Sequence, residues 1–291
     1  MLYDPIKDWL NRFAAKHPFF QRMFYALLDM LFLRSWYVRR ELKWLIQQFP
    51  PEKPLRILDA GTGFGQYAYF LARTFPHVQV TAVDIKEDYL AQAQAFLRTT
   101  PFYERVQFQP ADLTRLSLPQ SYDIILSVDV MEHIEEDEAV FRNFFKVLKP
   151  EGFVLINTPS DLGGSDVHTE EEESFIGEHV REGYNRQALE EKLQRAGLIP
   201  VRSLYTYGKW GSKAWRLLIK WPMLLLNANK ALALLLPLYY LPVLPIGLLF
   251  NWLDLHTENP EGTGLLVIAR KPAPSLEHLA KNLSKHSKNP A

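Results

Sequence analysis

Asp59-Ala60-Gly61-Thr62-Gly63-Phe64-Gly65 sets an acid and three glycines at alternate positions directly after the apolar run Leu55 to Leu58. Glycines let a backbone bend into dihedrals closed to other residues and come close to a ligand, and the free N–H groups of a helix start attract anionic groups. Tyr67, Phe70 and Leu71 then recur at helical spacing, so the unit reads strand, glycine turn, helix. A glycine-rich turn with no ligand is the bland alternative. The dinucleotide fingerprint wants a small residue three positions after its second glycine, and here that position is Gln66.

Further acids follow at strand ends. Asp84-Ile85 closes the next apolar run, where a carboxylate can accept from both hydroxyls of a ribose, in NAD as well as in other nucleosides. Ala111-Asp112-Leu113 offers an acid and a following backbone N–H, suited to an adenine amine and ring nitrogen; a helix N-cap is the structural alternative for Asp112. Asp123, Ser127, Asp129, Glu132 and His133 lie on a fourth strand and its exit.

Positioning these groups requires a sheet. "VQVTAVDI", "RVQFQPADL", "YDIILSVDV" and "GFVLINTPS" read as strands two to five with helical segments between them, which argues parallel strands with crossover helices. "NRQALEEKLQRAGL" reads as a helix stopped by Gly197, "IPVRSLYTYG" as a sixth strand, and "GTGLLVIARKP" as the last. Ahead of the sheet, residues 1–50 read as amphipathic helices: one opening at Asp4-Pro5, and a second helical stretch from about Phe19 to Phe49. Residues 51–212 and 258–272 make the core, 213–257 an apolar insertion, and 273–291 a polar tail.

The 33 Lys and Arg residues balance the 33 Asp and Glu residues, so no overall field points to nucleic acid. Bases dominate the first fifty residues and the stretch from Arg202 to Lys230, while the segment from Asp161 to Glu182 is acidic. Cysteine is absent, which removes disulfides and thiolate chemistry, and no secretory leader is recognisable.

"LDAGTGFGQ", "VDI", "PADL", "YDIILSVDVMEHI" and "LKPEGFVLINTPS", in this order and spacing, resemble class I S-adenosylmethionine-dependent methyltransferases, nearest those acting on quinones, lipids and other small molecules. The resemblance covers about Leu55 to Leu204 and the last strand. It implies a doubly wound, Rossmann-like α/β sheet of seven strands whose last strand is antiparallel and inserted between the fifth and sixth. It implies that Gly61, Gly63 and Gly65 receive the methionine part with Asp59 near its ammonium, that Asp84-Ile85 holds the ribose, and that Asp112 and Leu113 take the adenine. Ser127 would lie under the methionine end.

Transfer from a sulfonium is governed mainly by alignment and exclusion of water, though an oxygen or nitrogen acceptor can need a base. His133, His168 and His179 are the candidates, with His133 and His179 preferred. Asp129-x-x-Glu132-His133 resembles an acid-x-x-Glu-His pattern that binds a divalent metal in some quinone-pathway enzymes; Asp at the first position shortens the reach, and no metal is expected. "HTEEEESF" reads as a capped helix start, and Asp161 to Tyr184 as a lid in which His179, Arg181 and Tyr184 face substrate or solvent.

Ala231 to Leu253 is uncharged and long enough to span a bilayer, but Pro237, Pro242 and Pro245 disfavour one straight helix. Both ends of the insertion join strands of one sheet, which excludes a single crossing. An interfacial hairpin, two short crossings and a soluble cap over the site remain open. The aromatic flanks and the bases favour a membrane surface. The expectation is a methyltransferase on the cytoplasmic side of a membrane with a lipophilic small-molecule or lipid substrate. A soluble cytoplasmic enzyme with an apolar cap and a non-catalytic cofactor-binding scaffold are the alternatives.

Overall fold

The computed structural model describes residues 17–163 and 180–274. One seven-stranded sheet organises them, in the order β3-β2-β1-β4-β5-β7-β6. The strands are β1 Leu55–Ala60, β2 Val78–Asp84, β3 Val106–Pro110, β4 Tyr122–Val128, β5 Leu148–Pro159, β6 Ile199–Thr206 and β7 Gly264–Arg270. β1 to β5 pair in parallel, and β7 runs antiparallel to both β5 and β6. The apolar residues of the interior strands β1, β4 and β7 are buried, apart from Val128 at the end of β4, as strands covered on both faces require.

Among the described residues two helices precede the sheet, α1 Pro18–Leu31 and α2 Leu33–Ile46. The helical stretch expected from about Phe19 to Phe49 consists of these two helices, divided at Phe32, whose backbone is extended (φ −91°, ψ 114°). The break leaves the first amides of α2 without helical partners; the Arg34 N–H is satisfied from a distance, donating to the Tyr207 hydroxyl at 3.1 Å. Helices α3 Gln66–Thr74, α4 Glu87–Leu97, α5 Asp137–Val147 and α6 Arg186–Arg195 flank the sheet. α6 is opened by Asn185, whose side chain accepts from the Gln187 and Ala188 amides.

Between β6 and β7 the chain forms a helical hairpin. Its first limb is α7 Lys209–Trp215, a π-helical turn Arg216–Lys220 and α8 Trp221–Ala228; its second is α9 Leu236–His256. Pro242 and Pro245 lie inside α9 without ending it, and Pro237 sits in its first turn, where amides have no helical partner. The insertion is therefore helical from Lys209 onward, and its return limb is one 21-residue helix rather than fragments.

Tertiary packing explains the hairpin's shape. Tyr239 and Tyr240 donate their hydroxyls to the Leu217 and Leu218 carbonyls of the π-helical turn at 2.8 and 2.7 Å, where the altered register disturbs the usual backbone ladder. A Cβ on Gly247 would come within 2.5 Å of Leu218, so only glycine permits this crossing. At the root, buried Asp254 accepts from the Gly211 amide (2.8 Å) and the Tyr37 hydroxyl (2.9 Å), fixing both limbs to α2.

Candidate active site

The carboxyl ends of β1, β2 and β4 meet at the glycine loop. Gly61 has φ +82°, and a Cβ there would lie 2.3 Å from Val130. Gly63 (φ +52°) differs: a Cβ would meet nothing within 4 Å, so the loop leaves open space above it. The Gly63 amide donates to Asp84 Oδ2 (2.7 Å), and Asp84 Oδ1 accepts from the Lys86 amide (2.9 Å). Asp84 is thereby fixed at the rim beside the exposed Ile85. The Ala111 amide donates to the Asp84 carbonyl (3.0 Å), which brings Asp112 and Leu113 to the same edge.

Asp112 does serve as an N-cap, its Oδ1 accepting from the Thr114 amide and hydroxyl at 2.9 and 2.7 Å. Those bonds hold its carboxyl below the usual carboxylate range. Both use one oxygen, so the cap and a nucleoside contact through Oδ2 are compatible.

Asp59 lies beneath the loop, buried, with Oδ2 accepting from Thr62 Oγ1 at 2.6 Å. Burial, reinforced by the Asp84 charge and opposed by the Thr62 bond, pushes its pKa up to about 7. A cationic group brought close would favour its ionised form.

The floor beyond the loop is formed by the exits of β4 and β5. Buried Ser127 Oγ and Asn157 Oδ1 have no partner within the described residues, although buried polar atoms are nearly always bonded. Asp129, at φ +52°, pairs with Arg34 and accepts from Asn157 Nδ2 at 3.0 Å. Glu132 is buried and accepts from Thr158 Oγ1 (3.0 Å); burial and the neighbouring Asp129 raise its pKa well above the carboxylate range. His133 is exposed in the short turn Met131–His133.

Asp129, Glu132 and His133 thus do not converge: one carboxylate faces Arg34, the next is buried against Thr158, and the imidazole is exposed. Among the described residues no cluster of three or more His, Asp or Glu side chains could hold a metal.

His168 and His179 fall outside the described residues, as does most of the expected lid. The described end of that loop is tied down: the Val180 amide donates to the Glu132 carbonyl at 3.0 Å. Arg181, partly buried, and Tyr184, buried, turn onto Asp137. Arg181 pairs with buried Asp137 at 2.7 Å and donates to the Met131 and Ile134 carbonyls, and buried Tyr184 donates to Asp137 at 2.7 Å. A charge buried beside an ion partner is better satisfied there than a sequence pattern can reveal.

Several residues that shape the site carry no sequence motif. Gln66, in the position the dinucleotide fingerprint gives to a small residue, donates to Asp29 Oδ1 (2.7 Å) and Ser35 Oγ (3.2 Å). The Tyr25 hydroxyl donates to the Phe64 carbonyl, and the Phe64 ring packs on Tyr89 with centroids 4.4 Å apart. These contacts clamp α1 and α2 over the glycine loop. Arg34 and Tyr207 complete the wall near Asp129, and burial pushes the Tyr207 hydroxyl up to about 12. Only a run of bases and aromatics around positions 34–44 hinted at this role.

A parallel sheet with one antiparallel strand between β5 and β6, and a glycine loop bonded to the acid at the end of β2, define the class I methyltransferase fold. Residues 57–152 match the family model described as "Methyltransferase domain". Malonyl-[acyl-carrier protein] O-methyltransferase of Bacillus anthracis is 30% identical over 128 residues, 44% of this chain and 46% of that protein. Phosphoethanolamine N-methyltransferase of Triticum aestivum is 32% identical over 149 residues, 50% of this chain and 28% of that protein. The chain thus spans less than half the length of these relatives.

Among solved structures, Haemonchus contortus phosphoethanolamine N-methyltransferase 2 in complex with S-adenosyl-L-methionine superposes with TM-score 0.55 at 24% identity, covering 80% of this chain and 52% of that one. The [4+2]-cyclase SpnF does so with TM-score 0.55 at 18% identity, covering 81% of each. One fold thus carries different chemistries, and the domain assignment rests on the sequence match together with the loop. The chain carries a class I S-adenosylmethionine-dependent methyltransferase domain. The open space over Gly63, the rim acids and the unpartnered Ser127 and Asn157 oxygens fit that cofactor, for which Asp84, Asp112, Asp59 and Ser127 are the candidate contacts.

Proposed function

We propose that the protein methylates a lipophilic acceptor, a quinone precursor, a lipid or an isoprenoid, at the surface of a membrane. The observation that carries this reading is the placement of residues 232–256. They form a helix apolar and long enough for a bilayer, little of it covered by the rest of the chain, and it belongs to the hairpin that leaves the sheet directly after Tyr207. Tyr207 contacts Arg34, which pairs with Asp129 on the site floor, so an acceptor dissolved in lipid has a short path to the cofactor loop.

Bound S-adenosylmethionine supplies an activated methyl group. The chain aligns and shields: the Asp84 carboxylate holds a ribose, Asp59 offers a counter-charge to an ammonium, and α1 and α2 exclude water above Phe64. For an oxygen or nitrogen acceptor, His133 and His179 are the candidate bases. Val180 lies against the turn that carries His133, which brings the described end of the loop to this place.

Purified protein incubated with a methyl-labelled donor and total membrane lipid should transfer label into the organic phase. Label confined to the aqueous phase, with a water-soluble acceptor, would overturn the lipophilic assignment. Alanine at a catalytic histidine should lower turnover about 100-fold while cofactor affinity holds.

A further inference from the structure

We infer that the hairpin is an in-plane anchor confined to one leaflet, that it recognises anionic phospholipid, and that the outer face of α1 docks on the same surface. The inference rests on the membrane reading above and specifies its geometry and its lipid.

Charge provides the first argument. From Lys209 to Leu253 the chain has five bases, Lys209, Lys213, Arg216, Lys220 and Lys230, and no acid. Four of them recur at intervals of 4, 3 and 4 residues, one face of the first limb. They sit against aromatic rings: Lys213 Nζ is 4.8 Å from the Trp210 ring centre and Lys220 Nζ 5.8 Å from that of Trp215. Trp210 in turn packs on Phe250 of α9 with ring centroids 5.3 Å apart, so the basic stripe borders the second limb. Ammonium groups over indole rings beside apolar helix surface are a head-group arrangement, in which phosphates meet the bases and rings sit at the interface.

Length provides the second. Beyond Lys220 the first limb continues as Trp221–Ala228, 8 residues, about 12 Å of helix. Half the hydrocarbon thickness of a bilayer is about 15 Å. The uncharged stretch from Trp221 to Asn229 is thus too short to cross, and Lys230 follows at the tip. A hairpin standing across the bilayer would carry Lys230, and a deeper one Lys213, Arg216 and Lys220 as well, into hydrocarbon, whereas a hairpin lying along one interface keeps all five bases at head-group level. α9 is longer, about 31 Å, but its outward residues Leu238, Leu241, Leu249 and Trp252 follow one helical stripe along its whole length. Leu238 is 69% and Leu241 76% exposed. A stripe that runs from tip to root suits a helix lying along the interface, not one crossing it.

The third argument is continuity. Phe20, Met23, Leu27 and Leu31 share a face of α1; the first three are exposed, and Leu31 packs on the hairpin cluster of Leu218, Ile219 and Met223. The apolar surface of α1 thus runs into that of the hairpin. On the buried side of α1, Tyr25 and Phe24 contact Phe64 of the glycine loop. Docking α1 would hold the cofactor cleft at head-group level.

The test uses the full chain and sedimentation with vesicles of phosphatidylcholine alone or with 30% phosphatidylglycerol, without methyl donor or acceptor, so the outcome is independent of activity. Wild type should bind the anionic vesicles far more tightly. A Lys209→Gln/Lys213→Gln/Lys220→Gln variant should lose about 100-fold of that affinity, about fivefold per base, and keep its melting temperature. Equal binding to both vesicles, or an undiminished triple variant, overturns the anionic-lipid assignment.

Because the chain has no cysteine, Leu234→Cys gives a single label near the tip. A membrane-impermeant maleimide outside should react in free protein and be excluded once vesicles bind, and one trapped inside should never react. Reaction from inside shows a spanning hairpin and overturns the one-leaflet anchor. Failure to bind any vesicle overturns this inference and the membrane reading together, while methyl transfer to lipid in detergent tests the enzyme separately.

Discussion

The sheet and the hairpin are built from the same residue types and treat them oppositely. In β4, Ile124, Ile125 and Leu126 are completely buried; in α9, Leu238 and Leu241 are mostly exposed. The core encloses its apolar atoms and leaves polar oxygens, Ser127 Oγ and Asn157 Oδ1, unpartnered at the ligand end. The hairpin ties Tyr239 and Tyr240 onto its own carbonyls and Asp254 onto Gly211 and onto Tyr37 of α2, and turns Leu234, Leu238, Leu241 and Leu249 outward. Each region is incomplete in a different direction: the core leaves polar atoms open at the cofactor end, and the hairpin leaves apolar side chains open to its surroundings, the feature on which the proposed membrane anchor rests.

Truncation in the core should have the largest effect. Leu58→Ala, under the glycine loop, removes a fully buried side chain and should cost about 3 kcal/mol in denaturant unfolding. A cost below about 1 kcal/mol would mean the core is looser than its burial indicates.

Asp254→Ala tests the junction between the regions. It strands the buried Gly211 amide, while the Tyr37 hydroxyl keeps the residue-254 carbonyl at 2.8 Å, for an expected loss of about 2 kcal/mol. Limited proteolysis should then cut first around Gly208. Cleavage elsewhere would show that the root is held by packing alone.

A smaller effect follows from Asp59. Its folded pKa, about 7, lies above its unfolded value, so its contribution is fully present below the unfolded pKa and is lost as pH rises through the folded one. Stability of the protein without cofactor should fall by about 1 kcal/mol between pH 6 and pH 8. Glu132, also raised by burial, acts in the same direction. Asp59→Asn should flatten this slope; an unchanged melting profile would remove Asp59 as its source.

The smallest change is expected on the hairpin surface. Leu241→Asn should shift unfolding in solution by less than about 0.5 kcal/mol, since its environment there is already water. The same substitution should weaken vesicle binding. A large solution effect would show that α9 is covered in the free protein, which favours a soluble cap.

Alternating apolar runs and helical segments, with acids at the strand ends, were enough to read the seven strands, the antiparallel last one by resemblance, and the loop residues Gly61, Gly63 and Asp84. Those features are local: a buried parallel strand is a short apolar run, and a turn at positive φ needs glycine. The break at Phe32 and the inward turn of Arg181 and Tyr184 were not readable, and neither was the persistence of α9 through two prolines. Each depends on a partner far along the chain, Tyr207 for Arg34 and Asp137 for Arg181.

The sequence by itself determined the parallel core, the cofactor loop and the existence of an uncharged membrane-length insertion, because each is a pattern within a few tens of residues. Only the tertiary structure decided that Gln66 clamps α1 and α2 above the loop, that Asp129 pairs with Arg34, and that the insertion is a hairpin rooted at Asp254 with Leu238 and Leu241 outward. Those are choices among partners. A side chain's partner is set by which distant surfaces the fold brings within about 3 Å, and no local spacing encodes that.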